Sequence, residues 1–220
     1  KGYAFCPNCF RTGTYNGYTC KACGYIQEQK DKYALSPGTR LKERYLLGRV
    51  LGVGGFGITY LAFDPASGRM CALKEYFPRA WAVRDNATNS LMPTTEGQQE
   101  VYRHGRDVFI NEAKILQGLY ANPHVVNVLD FFYDNETAYM VMEYIQGQTI
   151  NDYMKKKKHT VSIRMANQML REIGEALEQI HQNMLLHRDI SPDNIMITPN
   201  GQFKLIDFGA TRTYALSNPL

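Results

Sequence analysis

The sequence predicts an α+β protein of two lobes preceded by a small, metal-stapled ribbon. Three observations carry that expectation. Two Cys-x-x-Cys pairs crowd the first 23 residues. From Tyr45 to Phe77, runs rich in aromatic and β-branched residues are split by a turn holding four glycines in six residues, Gly52 to Gly57. Beyond Asp107, apolar residues recur increasingly at helical spacing. Strands first and helices later argue segregated layers rather than an alternating α/β sheet, and no internal repeat is visible.

The ribbon comes first. Cys6-x2-Cys9 and Cys20-x2-Cys23 are separated by ten residues. Each pair can place two thiolates on one side of a tight turn, and four thiolates suit a tetrahedral Zn2+. Residues 1–26 are too few to build a hydrophobic core unaided, so a staple is needed. With no secretion signal in the sequence, metal is favoured over a disulfide framework. The fifth cysteine, Cys71, sits in the apolar run "MCALK" and reads as a small core residue. Tyr3, Phe5, Phe10, Tyr15, Tyr18 and Tyr25, interleaved with Lys1, Arg11 and Lys21, read as a cover for the metal rather than a nucleic-acid face. Residues 27–41, polar and carrying Pro37-Gly38, read as a linker. Having few apolar residues, it is expected to leave ribbon and main domain uncoupled, so that metal removal unfolds residues 1–26 alone.

In the main domain, 45–52 and 57–64 read as strands around the glycine turn, and 70–77 as a third. Pro78–Gly105 reads as a polar loop. Residues 107–120 read as a helix, ended by Asn122-Pro123. Residues 125–134 and 137–145 read as strands about the turn Asp134-Asn135-Glu136. Residues 149–158 and 162–182 read as helices, the second with Ile163, Ala166, Leu170, Ile173, Leu177 and Ile180 on one face. Two short strands come next, around Pro199-Asn200-Gly201.

Composition excludes more than it names. A net charge of +4 and a pI near 8.7 are too mild to argue for nucleic acid or a membrane surface. The basic run Lys155–Lys158 reads as a solvated helix end. No apolar stretch approaches a membrane span, there is no signal-peptide pattern, and a cytoplasmic location is expected. The first residue is Lys rather than Met, so a longer gene product, with or without an anchor, remains open.

The chemistry lies in the glycine turn and in motifs further along the chain. Gly52-x-Gly54-x-x-Gly57 alone is a weak signal; with a strand after it, it reads as a flap whose backbone N–H groups can lie over phosphates. Lys74 comes later on a strand, with Glu112 on the 107–120 helix as a candidate partner. "LHRDISPDNIMI" then holds His187, Arg188, Asp189 and Asn194, and "LIDFGA" holds Asp207, Phe208 and Gly209.

With these motifs, in this order from about Tyr45 to Gly209, the chain resembles the Hanks-type, eukaryotic-like serine/threonine protein kinases of bacteria. The resemblance implies a two-lobed kinase fold: an N-lobe with hinge over 42–147 and a partial C-lobe over 148–220. It implies that the chain transfers the γ-phosphate of ATP to Ser/Thr hydroxyls of a protein substrate. Gly52, Gly54 and Gly57 would cover the phosphates, Lys74 would hold them, and Glu112 would orient Lys74. Asp189 would take or orient the hydroxyl proton, and Asn194 and Asp207 would hold Mg2+. Met142 would stand as gatekeeper, with the backbone of Glu143 and Ile145 bonding adenine and Ala72 and Met196 sandwiching it. Leu116, Val128, His187 and Phe208 would form an apolar spine, and Arg188 would meet a phosphate on the activation segment.

Three departures stand out. Ser191 occupies the position where the family usually carries Lys. Thr59 replaces the usual Val over adenine. Only eleven residues follow Gly209, so the sequence reads as a kinase cut within its activation segment, with a mobile or inactive tail carrying Thr211, Thr213, Tyr214 and Ser217. The alternative to an active enzyme is a nucleotide-binding pseudokinase or scaffold. Oligomeric state cannot be read.

Overall fold

β-Branched and aromatic side chains pack well on a pleated, half-buried surface, and Tyr45–Tyr76 forms strands wherever they dominate. The computed structural model describes residues 4–27, 31–119, 122–156, 160–208 and 212–213. Its strands are β1 (Arg40–Leu41), β2 (Tyr45–Val53), β3 (Gly57–Asp64), β4 (Arg69–Tyr76), β5 (Ala82–Arg84), β6 (Leu91–Pro93), β7 (Val128–Asp134), β8 (Thr137–Glu143), β9 (Gln148–Thr149), β10 (Leu185–Leu186), β11 (Ile195–Ile197), β12 (Phe203–Leu205) and β13 (Arg212–Thr213). The helices are α1 (Gln99–Gln117), α2 (Ile150–Lys156) and α3 (Ile163–Gln182). Lys1 and Tyr3 of the ribbon, Lys157 and Lys158 of the basic run, and Gly209 lie outside the described residues. Among the described residues no helix is long and apolar enough to cross a membrane.

The chain divides into two units, Lys1–Ile110 with Leu129–Tyr144, and Asn111–Val128 with Ile145–Leu220. The first is built on a six-stranded sheet in the order β1-β2-β3-β4-β8-β7. Its register sorts the side chains. Thr59 pairs with Lys74 and Lys74 with Met140; Leu61 pairs with Ala72 and Ala72 with Met142. Residues directly opposite share a face, so Thr59, Leu61, Ala72, Lys74, Met140 and Met142 share one. The other carries Tyr60, Leu73, Glu75, Tyr139 and Val141.

On that second face lies a charge the sequence reading did not anticipate. Glu75 is fully buried. Its carboxylate accepts from Arg84 at 2.5 Å, from the Tyr60 hydroxyl at 2.9 Å and from the Tyr139 hydroxyl at 2.7 Å. The Arg84 guanidinium also donates to the carbonyls of Tyr33 and Asn89, each at 2.8 Å. Burial, followed by the neighbouring carboxylate, raises the pKa of both tyrosines. Arg84 explains a correction. Pro78–Gly105, expected as a loop, contains the antiparallel β5–β6 hairpin and the first turns of α1, which starts at Gln99 rather than Asp107. Three-residue strands carry too little pattern to read, and the hairpin is held by a tertiary ion pair. Tyr102 supplies an early buried contact of α1, its ring 5.6 Å from that of Tyr76.

The ribbon belongs to this unit, contrary to the expectation that it stands uncoupled. The Pro7 carbonyl accepts from the Arg49 N–H at 2.9 Å, and the Arg49 Nε donates to Asn8 Oδ1 at 2.7 Å. The Phe10 ring lies 5.6 Å from Phe63. A Cβ at Gly48 would stand 2.2 Å from the Pro7 carbonyl oxygen and 2.7 Å from Phe10 Cζ, so only glycine admits this docking. The segment read as a linker also packs: Leu35 is buried, its N–H donates to the Tyr60 hydroxyl at 3.1 Å, and β1 pairs with β2.

The second unit is helical with a small sheet, β12-β11-β9. Ser162 caps α3 by accepting from the Met165 N–H. The buried stripe of α3 is Ile173, Ala176 and Ile180, while Ile163 and Leu170, expected on the same face, lie on its flank and are 82% and 68% exposed. Glu172 accepts from the Phe203 N–H at 2.7 Å, tying α3 to β12.

Removing one partner of a buried ion pair costs about 3–5 kcal/mol, because the other is left uncompensated. Glu75→Ala should therefore lower the urea midpoint sharply, and the double variant Glu75→Gln/Arg84→Met should recover much of the loss. A second prediction concerns pH. The Arg44 guanidinium, 2.8 and 2.7 Å from the buried Asp64 carboxylate, holds that group well below the usual carboxylate range. A lowered folded pKa contributes stability that is present above the unfolded pKa and is lost as pH falls through the folded one. Asp64→Asn should melt a few degrees below the parent at pH 7, with the gap narrowing below about pH 4.

Candidate functional site

The glycine flap joins β2 to β3. Gly52 pairs with Thr59, with register shifts on either side of Val50. A Cβ at Gly52 or Gly55 would meet nothing within 4 Å, and one at Gly54 only the Gly57 carbonyl at 3.9 Å. Neither packing within the protein nor a positive φ demands glycine at these positions; what side chains here would fill is open space above the strand pair. Gly57 differs: its Cβ would stand 2.3 Å from the Glu75 carbonyl oxygen. The flap is tied down from behind, as the Phe77 and Arg79 N–H groups donate to the Phe56 and Gly55 carbonyls at 2.9 and 3.2 Å. At the tip the Phe56 ring meets Trp81 edge-on, with centroids 6.4 Å apart.

On the flap's side of the sheet, Thr59 and Lys74 are half-buried neighbours, and Ala72 and Met142 are buried beside them. Glu143 ends β8, half-buried. One sheet face thus brings together the glycines, Lys74, Ala72, Thr59 and Met142. A cation at the glycine end and an apolar floor at the other suit an anionic ligand with a flat aromatic group.

The remaining predicted residues belong to the second unit. Glu112 is buried on α1, one turn before the fully buried Leu116. Ile145 is half-buried just beyond β8, and Met196 sits half-buried in β11. Asp189 is exposed and Asn194 buried, and they are bonded: Asn194 Nδ2 donates to Asp189 Oδ2 at 2.9 Å and to its carbonyl at 3.0 Å. The Asn194 carbonyl accepts from the Ile206 N–H at 3.1 Å, which fixes the backbone next to the half-buried Asp207. The Asp189 N–H donates to His187 Nδ1 at 3.3 Å, and the His187 ring packs on Phe208 at 4.8 Å. Arg188, between them, has φ +65°; a non-glycine residue held there stores strain, as happens where a side chain must be aimed. The loop thus offers the Asp189 carboxylate and the Asn194 amide, with the Asp207 carboxylate one residue beyond the Ile206 N–H that bonds the Asn194 carbonyl, a set suited to a hard cation and a proton acceptor. Gly209, Thr211, Tyr214, Ser217 and most of the tail lie outside the described residues.

The four ribbon cysteines converge. Their sulfurs all lie within 4.8 Å of one another. The Cys6–Cys23 and Cys9–Cys20 separations are 3.8 Å, which matches the ~3.8 Å edge of a tetrahedron with 2.3 Å Zn–S bonds and is far beyond disulfide length. Burial pushes the Cys6 thiol up to about 12, while the Thr14 hydroxyl draws Cys20 down to about 6. The donor set and spacing fit zinc.

Sequence reasoning missed Gly48, Asn8 and Arg49, which seat the ribbon, and the Glu75–Arg84 pair. Glu75 had a signal: strand alternation puts it opposite Lys74, among core residues, where a carboxylate needs a cation.

Comparison with known proteins gives consistent matches. The protein kinase domain family matches residues 45–219. Serine/threonine-protein kinase B of Synechocystis sp. is 32% identical over 95% of this chain and 32% of its own length. Serine/threonine-protein kinase PknA of Mycobacterium tuberculosis is 31% identical over 80% of the chain and 37% of its own length. The chain thus spans about a third of these curated relatives. A solved structure described as PpkA-294 apo form superposes with a TM-score of 0.73 at 33% identity, covering 80% of this chain and 62% of that one.

Metal analysis of freshly purified protein should find one equivalent of zinc, with X-ray absorption giving four sulfurs at about 2.3 Å. Cys9→Ser should lower zinc retention against a competing chelator by at least about tenfold.

Proposed function

The chain belongs to the protein kinase domain family, and on that premise we propose that it binds Mg-ATP and transfers the γ-phosphate to Ser/Thr hydroxyls of a protein substrate. The observation that carries the reading is the bonded loop Asp189–Asn194 with Ile206 on its carbonyl. It holds a proton acceptor beside the groups that would bind metal. Mg2+, when bound, neutralises the charge of the β- and γ-phosphates.

In this reading the chain's own residues chiefly position. The Asn194 amide pins the Asp189 carboxylate, leaving Oδ1 to accept the proton of an incoming hydroxyl. Asn194 Oδ1 and the Asp207 carboxylate would hold the cation. The flap at Gly52, Gly54 and Gly57 would offer backbone N–H groups to the phosphates and exclude water. Lys74 would fix the α/β-phosphates and Glu112 would hold Lys74 in place. Ala72 and Met196 would close on adenine, with Thr59 alongside and Met142 behind it, and the backbone of Glu143 and Ile145 would read its edge. The open space over Gly52 and Gly55 supports this placement.

Ser191 favours a second reading, a nucleotide-binding module with little transfer. A hydroxyl cannot neutralise charge on the γ-phosphate, and among electrostatic donors one lost contact costs about 10²–10³ in rate.

The test uses radiolabelled ATP with the natural protein that carries this chain and a generic basic acceptor. Asp189→Asn should abolish transfer while leaving Mg-ATP affinity within about threefold. Asp207→Ala should remove the Mg2+ dependence of binding; unchanged Mg-ATP affinity in that variant would overturn the assignment. Ser191→Lys should raise turnover by about tenfold or more; no change would show that another cation already serves.

A further inference from the structure

We infer that the Cys6–Cys9 knuckle, with its metal, is a positioning clamp on the glycine flap, so that occupancy of the four-sulfur site sets the order of the flap. The consequence for nucleotide affinity rests on the proposed role of the flap in holding phosphates.

Asn8 is the link. Its N–H donates to Cys6 Sγ at 3.4 Å and its Nδ2 to Cys23 Sγ at 3.6 Å, while its Oδ1 accepts from Arg49 at 2.7 Å. Arg49 also spends its backbone N–H on the Pro7 carbonyl, and its guanidinium on the Val50 carbonyl at 3.2 Å. Gly52 is three residues further along the same strand. A second tie reaches the flap from the segment after the ribbon. Asp31 pairs with Arg79 at 3.3 Å, the Arg79 guanidinium lies over Tyr33 at 5.1 Å, and the Arg79 N–H holds the Gly55 carbonyl at 3.2 Å.

Between the two ties one side of the strand faces a cavity, while its edge pairs with β3 at Val50, Gly52 and Val53. The cavity, of about 450 Å³, lies along Gly48–Val53, walled on its far side by Tyr25, Asp31 and Leu35. On the cavity side, contacts at its ends therefore steady this stretch, and the ladder to β3 steadies the other. A four-cysteine segment without a core loses its fold with its metal. Asn8 then loses its sulfur acceptors, Arg49 loses the acceptors that Pro7 and Asn8 supply, and the strand frays toward Gly52. Sheet pairing of β2 with β3 remains, so the effect stays local.

Hydrogen exchange on the full chain, zinc-loaded and after metal removal by chelation, tests this. Residues 46–57 should exchange about tenfold faster without metal, residues 128–143 should stay within about twofold, and re-added Zn2+ should restore the protection of 46–57. Trp81, the one tryptophan in the sequence, stands against Phe56, and its emission should shift in step. Gly48→Ala, which keeps all four cysteines, should retain zinc, loosen 46–57, and weaken Mg-ATP binding by about tenfold. Asn8→Ala should do the same should the glycine variant fold poorly. Unchanged exchange at 46–57 on metal removal overturns the clamp, as does a uniform loss of protection that includes 128–143. A flap that responds to metal in a protein that binds no ATP leaves the clamp standing and removes the nucleotide reading. Equal ATP affinity with and without metal, over an unresponsive flap, does the reverse.

Discussion

The first unit depends on one buried carboxylate. Glu75 lies at the centre of the sheet with no access to water, and such a charge persists only when its partners are complete. Tyr60 comes from β3, Tyr139 from β8 and Arg84 from the hairpin that follows β4. Arg84 in turn reaches the Tyr33 carbonyl, and Tyr60 receives the Leu35 N–H. Four segments besides β4 itself, from residues 33–35 to β8, are thus tied to one ion. Apolar burial alone would stabilise these strands without choosing where residues 31–35 and 78–94 must lie; the need to satisfy Glu75 and Arg84 makes that choice.

The same strand carries Lys74 on its other face. Pinning Glu75 fixes β4 in its pleat, and so holds Lys74 toward the glycine flap with Ala72 beside it. The Glu75 carbonyl also lies where a Cβ of residue 57 would be, so the strand that presents the cation keeps the end of the flap free of side chains. In the second unit a parallel economy appears. One amide, Asn194, orients the Asp189 side chain and also caps its carbonyl, and its own carbonyl steadies the approach to Asp207.

How legible each feature was in the sequence depends on how it is encoded. The motifs His187–Asn194 and Asp207–Phe208 were legible as motifs, because they are residue types at fixed linear spacing, and the structure shows the Asp189–Asn194 bond and the His187–Phe208 contact they form. The cysteines read for the same reason. The strands Tyr45–Val53, Gly57–Asp64 and Arg69–Tyr76 were visible through their side-chain types. The start of α1 was not, because "QEVYRHGR" is polar on most of its surface and buries little besides Tyr102. The β5–β6 hairpin and the packing of Leu35 were hidden because the forces that place them act across distance in the chain. Gly48 was visible as a glycine, yet nothing local reveals that its missing Cβ makes room for the Pro7 carbonyl.

That missing Cβ bears on how the protein is made. The ribbon leaves the ribosome before β2 does, and domains generally begin to fold in that order. A knuckle that had already captured a metal would present the Pro7 carbonyl and the Asn8 amide as a finished surface when Gly48 and Arg49 emerge. A metal bound there would serve as an early template against which the first long strand of the main sheet is laid. In a cell short of zinc, the shortage would be felt first as a falling yield of newly synthesised, correctly assembled chains.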